Sequence, residues 1–300
     1  MFHTSTQRKH WTFSSEEELR HIRQEVNGVY CESFRENFPA KKDVDFLTVE
    51  EGMKLVEYYQ SVLIEVSEKF QPPVPSAVTA TAVAYLKRFY LKTSVMDHPP
   101  KEMFLVCLYM ACKVEEHNLS VDRFVEILPV DRRAKTIDFI LAHELLLVQR
   151  LDFHLTVHNP YRPLEGFIID FKTRCPRSGD PEKWRPLVAE FLRKALLTDV
   201  SLLYPPSQIA LAALFSVSRE YISAYISANL GEQHELLLRQ IENVVSLVTV
   251  QKCTVSKEEV KSLEQKLKSC RNPENNPDNK LFKKKKAERE KAMDIDDSWL

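Results

Sequence analysis

The 300-residue sequence predicts an all-α protein built from two tandem five-helix units, with one further helix before them and one after them. Between clusters of proline, apolar residues recur at a spacing of three and four, which is typical of amphipathic helices. Glycine occurs 5 times, where average usage would give roughly 21. Strict alternation of apolar and polar residues appears over 153–157, a run too short to found a sheet.

The first unit covers residues 51–158, and its helices can be assigned from their apolar spacing and their starts. Apolar residues from Leu55 onwards predict the first helix. Pro75 opens the second, because proline suits the first helical turn, and Pro99 with Pro100 opens the third. Ser120 begins a short fourth helix that ends before the next proline. In order, the five helices are predicted at 55–66, 75–90, 99–116, 120–128 and 134–150.

The second unit, residues 159–252, repeats the first at an offset of 106 residues, the distance from Pro99 to Pro205. At this offset, Met103, Leu105, Cys107, Leu108, Tyr109 and Lys113 align with Ile209, Leu211, Ala213, Leu214, Phe215 and Arg219. Such a long offset indicates a duplicated domain, and the alternative is an ordinary alanine-rich core helix. The helices of this unit are predicted at 160–173, 182–203, 206–219, 220–229 and 233–250.

Capping boxes predict the two flanking helices. Ser15 and Glu18 begin one in the N-terminal segment 1–50, and Ser256 with Glu259 begins the other over 253–270. Each has a narrow apolar stripe, so we expect each to dock on the other or on the first unit. Residues 271–300 are rich in charge and are predicted to be mostly disordered. The stripes are Leu19, Ile22 and Val26 in the first helix, and Val260, Leu263 and Leu267 in the second.

Composition argues against several classes of protein. The net charge of −1 gives no field for nucleic acid or a membrane surface, and the scattered glycines form no phosphate-binding loop. None of the six cysteines forms a CxxC, and no histidine stands at metal-ligand spacing. No nucleophile motif is present. We therefore expect an intracellular, non-membrane protein that is not an enzyme and needs no cofactor or metal.

One pair of charged residues stands out because each lies in a run that should otherwise be core. Lys113 lies in the run 108–116, and Glu144 lies in the run 143–155. A carboxylate in such a place is costly unless a cation meets it, and Lys113 is the obvious partner. The alternative is a purely structural ion pair between core helices. In a helix, Glu144 has apolar residues one turn before and after it, namely Ile140, Leu141, Leu147 and Val148.

An apolar platform is predicted beside this pair. The chain leaves the second helix through Phe153, a large aromatic residue that Val114 and Val148 could adjoin. A lone ion pair would not need such a platform, so the combination favours a binding surface. A different signal lies in the tail, where Lys283, Lys284, Lys285 and Lys286 form either a nuclear-import signal or a solvated charged run.

The order of these elements resembles the cyclin family, over about residues 1–270. The cyclin-box pattern matches the runs 111–116 and 143–155. Closer similarity lies in the segments 9–17, 89–91, 157–163 and 206–211, which begin with Lys9-His10-Trp11, Phe89-Tyr90, Val157-His158 and Pro206-Ser207. The resemblance implies two cyclin folds whose flanking helices pack together.

The resemblance also implies a function in the nucleus. Its partners would be the catalytic subunit of a cyclin-dependent kinase, a RING-finger assembly factor, and the core of transcription factor TFIIH. Together they would form the CDK-activating kinase, which phosphorylates other cyclin-dependent kinases and the RNA polymerase II tail. The implied kinase-binding residues are Lys113, Val114, Glu116, Glu144, Val148, Phe153 and Leu155.

The sequence departs from cell-cycle cyclins in one place. Their Met-Arg-x-x-Leu substrate-docking patch is replaced by the segment 55–59, and Val62 stands where they have Trp. Recruitment of Arg-x-Leu substrates is therefore not expected. Two other functions remain open from the residues alone. A TFIIB-like DNA-binding core shares the double fold but predicts a zinc ribbon and a basic second unit, and a helical scaffold without a kinase is the third possibility.

Overall fold

The computed structural model describes residues 2–39, 44–175, 180–230, 234–250, 255–276 and 279–284. Within these ranges every regular element is a helix, which confirms the predicted all-α class. The N-terminal segment contains α1 (Thr6–His10) and α2 (Glu16–Asn37). The first unit contains α3 (Val49–Lys69), α4 (Ser76–Phe89), α5 (Pro100–Val114), α6 (Val121–Val125) and α7 (Val130–Arg150). The second unit contains α8 (Tyr161–Arg174), α9 (Arg185–Leu196), α10 (Val200–Leu203), α11 (Pro206–Val217), α12 (Arg219–Leu230) and α13 (His234–Val250), and α14 (Lys257–Cys270) follows it.

Helix α5 forms the centre of the first unit. Every residue from Met103 to Cys112 is buried, and α3, α4 and α7 pack around the helix. Pro100 suits the first turn of this helix, and the small side chain of Ala111 lets neighbouring helices approach closely. The first helix of this unit, α3, starts with a capping box in which Thr48 and Glu51 satisfy each other's backbone N–H groups.

Helix α11 takes the same central place in the second unit, with α8, α9, α12 and α13 around it. Its alanines at 210, 212 and 213 are each 0% exposed, so the surrounding helices approach its backbone closely. The aligned apolar positions of α5 and α11 are buried in both helices. The duplication predicted from the offset of 106 residues is therefore confirmed as two tandem folds.

Three predicted helices differ clearly in the structure. The helix predicted at 55–66 extends over Val49–Lys69, because it begins at the Thr48 cap. The fifth helix of the first unit begins at Val130, directly after Pro129, rather than at 134. The helix predicted at 182–203 is divided into a 3₁₀ turn over Pro181–Trp184 followed by α9 and α10. The chain turns at 197–199, where the Thr198 carbonyl accepts a hydrogen bond from buried Lys87 and Asp199 meets another helix. Apolar spacing carries no signal of such a tertiary contact.

The N-terminal helix α2 fastens the two units together. Leu19 is 0% exposed and packs with Leu91 of the first unit and Leu202 of the second. Arg23 makes a forked ion pair with Asp199, with N–O distances of 2.8 and 2.9 Å. Such a bidentate contact fixes geometry as well as charge. The expected docking of this helix on the first unit is confirmed, and the helix also contacts the second unit, which was not predicted.

The C-terminal helix α14 lies on α3 of the first unit, with its predicted stripe of Val260, Leu263 and Leu267 buried. The two terminal helices meet where the Tyr30 hydroxyl donates to the Cys270 carbonyl at 2.8 Å.

The chain remains packed beyond residue 270, where the disordered tail was predicted to begin. Arg271 forms a forked ion pair with Glu102, at 2.8 and 2.7 Å. The Asn272 side chain donates to Asp97 at 2.8 Å, and Pro273 is buried. These contacts use the polar side chains that suggested disorder, so the prediction was wrong for residues 271–276. Residues 285–300 lie outside the described ranges.

Candidate functional site

The predicted pair of Lys113 and Glu144 meets across two adjacent helices of the first unit. Lys113 lies in the last turn of α5, and Glu144 lies in the second half of α7. The lysine Nζ donates to both carboxylate oxygens, at 2.9 and 3.1 Å. The same Nζ lies 5.5 Å from the centre of the Tyr109 ring, one turn earlier on α5. The cation is therefore held by both a carboxylate and an aromatic face.

The pair lies at the surface and not in the core, contrary to the burial expected from the sequence. The side chains of Lys113 and Glu144 are 48% and 19% exposed. Helix α7 buries Ile140 and Leu147 and leaves Glu144 at the edge of the contact with α5. The cost of removing these two charges from water is therefore smaller than the apolar sequence around Glu144 suggested. A surface position leaves both charges within reach of a partner.

Backbone strain is concentrated next to the pair. Among the described residues other than glycine, a positive φ occurs at Glu116 (57°), Asp152 (51°) and Phe153 (59°). Glu116 and Asp152 follow the C-caps of α5 and α7, in the position where glycine is favoured. The left-handed conformation costs about 1–2 kcal/mol at each such residue. Strain of this kind is found most often at functional sites, where the surrounding structure holds it in place.

The predicted platform is divided between exposed and half-buried residues. Phe153 is 67% exposed, so its ring projects from the turn at the end of α7. Val114, Val148 and Leu155 are half-buried and pack against the core of the first unit. These three residues lie at or near the C-terminal ends of α5 and α7, and part of each side chain is exposed to solvent. Glu116 is exposed at the end of α5.

Two exposed leucines beside the pair were not predicted as site residues. Leu141 and Leu145 are 51% and 63% exposed and lie one turn apart on α7. Together with Lys113, Glu144 and Phe153 they form what is called here the α5–α7 surface. A signal existed in the sequence, because α7 carries apolar residues around more of its circumference than one buried face requires. Large apolar side chains that remain exposed together mark interaction sites.

The charge of this surface comes from the ion pair and not from its histidine neighbour. Burial lowers the pKa of His143, next to Glu144, although a contact with the Phe139 carbonyl opposes the shift. Its ring stacks on Phe139 with centroids 3.8 Å apart. Burial also raises the pKa of the Tyr109 hydroxyl, which Lys113 acts to lower. At neutral pH both rings are uncharged and serve as packing.

The described residues offer no grouping of His, Cys, Asp or Glu suited to a metal ion. No helix among them has the length and apolarity needed to cross a membrane. Of the predicted import signal, Lys283 and Lys284 are exposed, whereas Lys285 and Lys286 lie outside the described residues. The α5–α7 surface is thus equipped to bind, through one ion pair with exposed apolar residues around it.

Family comparisons agree with this architecture. The family model "Cyclin, N-terminal domain" matches residues 34–156, and the "Cyclin C-terminal domain" model matches residues 159–272. Both matches favour the cyclin interpretation over a TFIIB-like core. Cyclin-H of Xenopus laevis is 39% identical over 287 residues, which cover 91% of this chain and 88% of the relative.

Solved structures share the whole fold. A chain of the CAK complex of Chaetomium thermophilum, bound to ATP-gamma-S, superposes with a TM-score of 0.84 and 28% identity, covering 97% of this chain and 94% of that one. A chain of the yeast TFIIK (Kin28/Ccl1/Tfb3) complex has a TM-score of 0.68 and 28% identity, covering 82% of this chain and 99% of that one. The chain belongs to the cyclin family and is similar to cyclin H over most of its length.

Proposed function

We propose that this protein is the regulatory subunit that binds and activates a cyclin-dependent kinase, within the CDK-activating kinase and TFIIH. The observation that carries the proposal is the Lys113–Glu144 ion pair, held at the surface among exposed Leu141, Leu145 and Phe153. A rigid ion pair can recognise backbone polar groups of a partner helix, while the apolar residues around it bury that helix's apolar face. The protein acts as an activator and contributes no catalytic group.

The mechanism is a shift of population in the kinase. A kinase whose C-helix is displaced cannot form the ion pair between its catalytic lysine and the C-helix glutamate. Lys113 and Glu144 hydrogen-bond groups around that helix, and Val114, Val148, Phe153 and Leu155 contact its apolar side. Because the surface binds the active position of the helix more tightly, binding energy stabilises the active kinase. Glu116 adds a carboxylate at the rim of the same contact.

Further partners follow from the same proposal. The similar structures are a CAK complex and the three-component TFIIK (Kin28/Ccl1/Tfb3) complex. We assign this protein a kinase catalytic subunit, a RING-finger assembly factor and the TFIIH core as partners, with no direct contact to nucleic acid or membrane. The complex would act in the nucleus on other cyclin-dependent kinases and on the RNA polymerase II tail. The lysines at 283–286 are the nuclear-import signal.

Reconstitution with a purified catalytic subunit tests the proposal. The protein and the kinase subunit are mixed, separated by size-exclusion chromatography, and assayed on a polymerase-tail peptide and on a kinase activation-segment peptide. We expect a stable complex and phosphorylation of both peptides, with the kinase alone as the control. Absence of a complex would contradict the proposal. Binding of duplex DNA by the free protein, without any effect on the kinase, would instead favour the TFIIB-like alternative.

A further inference from the structure

The N-terminal run 9–17, whose sequence contributes to the cyclin resemblance, reaches the turn that displays Phe153. Trp11 is 2% exposed although it lies close to the start of the chain. Its indole Nε1 donates to Nδ1 of His154 at 3.1 Å. The ring of His10 stacks on the same imidazole with centroids 4.8 Å apart. His154 is therefore held on one side by a hydrogen bond and on another by a stacked ring.

The rest of this turn, residues 152–155, is held from helix α4 and the chain after it. Lys92 forms an ion pair with Asp152, and Arg88 donates to the His154 carbonyl at 3.3 Å. Both cations also lie over the indole of Trp11, with the Lys92 nitrogen at 5.0 Å and the Arg88 guanidinium carbon at 5.3 Å. Trp11 thus joins the two cations that hold the turn.

A second contact, between Gln7 and His158, fixes the position of α1 relative to the segment that follows the turn. The Gln7 side chain donates to the His158 carbonyl at 3.1 Å and accepts from the His158 amide at 2.6 Å. Gln7 is 4% exposed, so the paired contact is shielded from water. Anchors at 154 and 158 together prevent α1 from sliding relative to the turn.

We propose that α1 and Trp11 are a positioning element for the α5–α7 surface, acting through His154 to hold Phe153 in its exposed, left-handed conformation. This inference relies on the proposed function only in naming the kinase as the partner that contacts Phe153. An exposed aromatic residue with φ 59° stays in place only if its neighbours fix the backbone. Those neighbours are Asp152 and His154, and α1 contributes the contacts to His154.

The hydrogen bond sets a requirement on the protonation of His154. An indole N–H can only donate, so Nδ1 of His154 must be unprotonated. Burial lowers the pKa of His154, and the nearby His10, Arg88 and Lys92 lower it further, while Asp152 opposes them. Acid that protonates this imidazole removes the acceptor for Trp11. A tryptophan that served only as packing would need its ring and not its N–H group.

Three variants separate a positioning role of Trp11, through its N–H group, from a packing role of its ring. Trp11→Phe keeps an aromatic ring and removes the donor. His154→Leu removes the acceptor, and His154→Asn restores it, because the Asn Oδ1 takes the place of Nδ1. The free proteins are compared by the NMR signals of the Phe153 amide and the Trp11 indole, and their affinity for the purified kinase subunit is measured at pH 7.5 and pH 5.5.

We expect Trp11→Phe and His154→Leu to shift the Phe153 amide signal and to weaken kinase binding about fivefold at pH 7.5, the ratio that one ordinary hydrogen bond gives. His154→Asn should bind within about twofold of the natural protein and should lose less affinity at pH 5.5. An unmoved Phe153 signal in both Trp11→Phe and His154→Leu overturns the inference, as does equal binding by His154→Leu and the natural protein. If the Phe153 signal shifts but the natural protein binds no kinase, the positioning role stands and the proposed function fails.

Discussion

Each unit carries an ion pair next to the end of its central helix, with the cation in the last turn of α5 in the first unit and at the start of α12, just after α11, in the second. In the first unit Lys113 pairs with Glu144 on α7, and in the second Arg219 pairs with Glu242 on α13. Arg219 also lies over an aromatic ring one turn earlier, 5.2 Å from the centre of Phe215. Lys113 and Arg219 are related by the offset of 106 residues. The pair is therefore a property of the duplicated fold.

The surroundings of the two pairs differ. Leu141 lies three residues before Glu144 and Leu145 lies one residue after it, and both leucines are exposed. At the same offsets from Glu242 stand Arg239 and Asn243, also exposed but polar. The left-handed residues Glu116, Asp152 and Phe153 all belong to the first unit. The exposed leucines directly beside Glu144, together with the positive-φ residues, distinguish the surroundings of the first pair from those of the second among the described residues.

The largest effect should come from removing the carboxylate of the first unit's ion pair, with removal of the second unit's carboxylate as the control. We expect Glu144→Ala to weaken kinase binding by about 3 kcal/mol, roughly 150-fold, because it leaves Lys113 unpaired in the complex. Glu242→Ala is the matched control and should change the affinity less than twofold. Isothermal titration with the kinase subunit gives both values. Kinase activation should be lost in the first variant alone.

Stability should change little in both carboxylate variants, since half-exposed pairs contribute about 0–1 kcal/mol. Circular dichroism melts check this. A folded Glu144→Ala protein that activates the kinase fully would falsify the assignment of the surface. Equal losses in Glu144→Ala and Glu242→Ala would mean that both units bind the kinase, and that the apolar surroundings of Glu144 do not set the first unit apart.

A second difference between the units is the C-terminal segment, which lies across the first one. Deleting residues 271–300 removes the forked pair of Arg271 with Glu102 and the Asn272 contact with Asp97. We expect a loss of about 2 kcal/mol in unfolding free energy, the scale of charge-assisted hydrogen bonds in a partly buried place. Urea unfolding measures it.

Deletion of 285–300 is the control for that truncation and should leave the unfolding free energy unchanged. Kinase activation should also be unchanged in the shorter deletion, whereas import into the nucleus should fall because Lys285 and Lys286 are lost. Identical unfolding of the two truncated proteins would show that the contacts of Arg271 contribute nothing to stability.

The sequence was sufficient for the fold because each of its signals was local or periodic. The N-cap serines Ser15 and Ser256 and proline at the start of α5 located helices correctly. The glutamate half of the predicted capping boxes was wrong, because Glu18 accepts from the Ser14 amide and Glu259 pairs with Lys54. The repeat was visible because the pattern of large and small residues in α5 and α11 is imposed by the same packing. The division of 182–203 into two helices was missed, since it depends on the contacts of Thr198 and Asp199 with distant elements.

The candidate site could be predicted in part. Opposite charge in apolar runs was enough to pair Lys113 with Glu144, and the structure brings them together. The surplus of apolar residues on α7 was visible, but which of them are exposed was not predictable, because the spacing of Leu141 and Leu145 suits a buried stripe as well as an exposed one. The contact of Trp11 with His154 spans 143 residues and has no local pattern. The role of these residues in kinase binding stays a prediction.

A third, smaller effect should come from the exposed leucines. Leu145 in α7 and Leu236 in α13 are 63% and 64% exposed, so they are matched in exposure, although Leu145 adjoins Glu144 and Leu236 lies six residues before Glu242. We expect Leu145→Ser to weaken kinase binding about tenfold, because a leucine buried in the complex is worth at least about 1.5 kcal/mol. Leu236→Ser should leave the affinity unchanged.

Neither leucine variant should be less stable, since both side chains are already in water. Surface plasmon resonance with immobilised kinase gives the two affinities, and thermal melts give the stabilities. A loss of affinity in Leu236→Ser as large as in Leu145→Ser would place the second unit in the interface as well.

The smallest effect concerns the strained end of α5, which has no counterpart in α11. The residue after the C-cap of α5 is Glu116, with φ 57°, whereas the residue after the C-cap of α11, Arg219, already begins α12. Glycine adopts positive φ without strain but has more freedom in the unfolded chain. We therefore expect Glu116→Gly to raise the unfolding free energy by about 0.5 kcal/mol net, and Glu116→Ala, which keeps the strain, to give no such gain. Both variants lose the carboxylate at the rim of the proposed kinase contact, so both should weaken kinase binding by the same factor, about twofold to threefold. Urea unfolding and titration with the kinase subunit separate the two effects. If Glu116→Gly lost more affinity than Glu116→Ala, the strained backbone itself, and not the carboxylate, would be what the kinase contact requires.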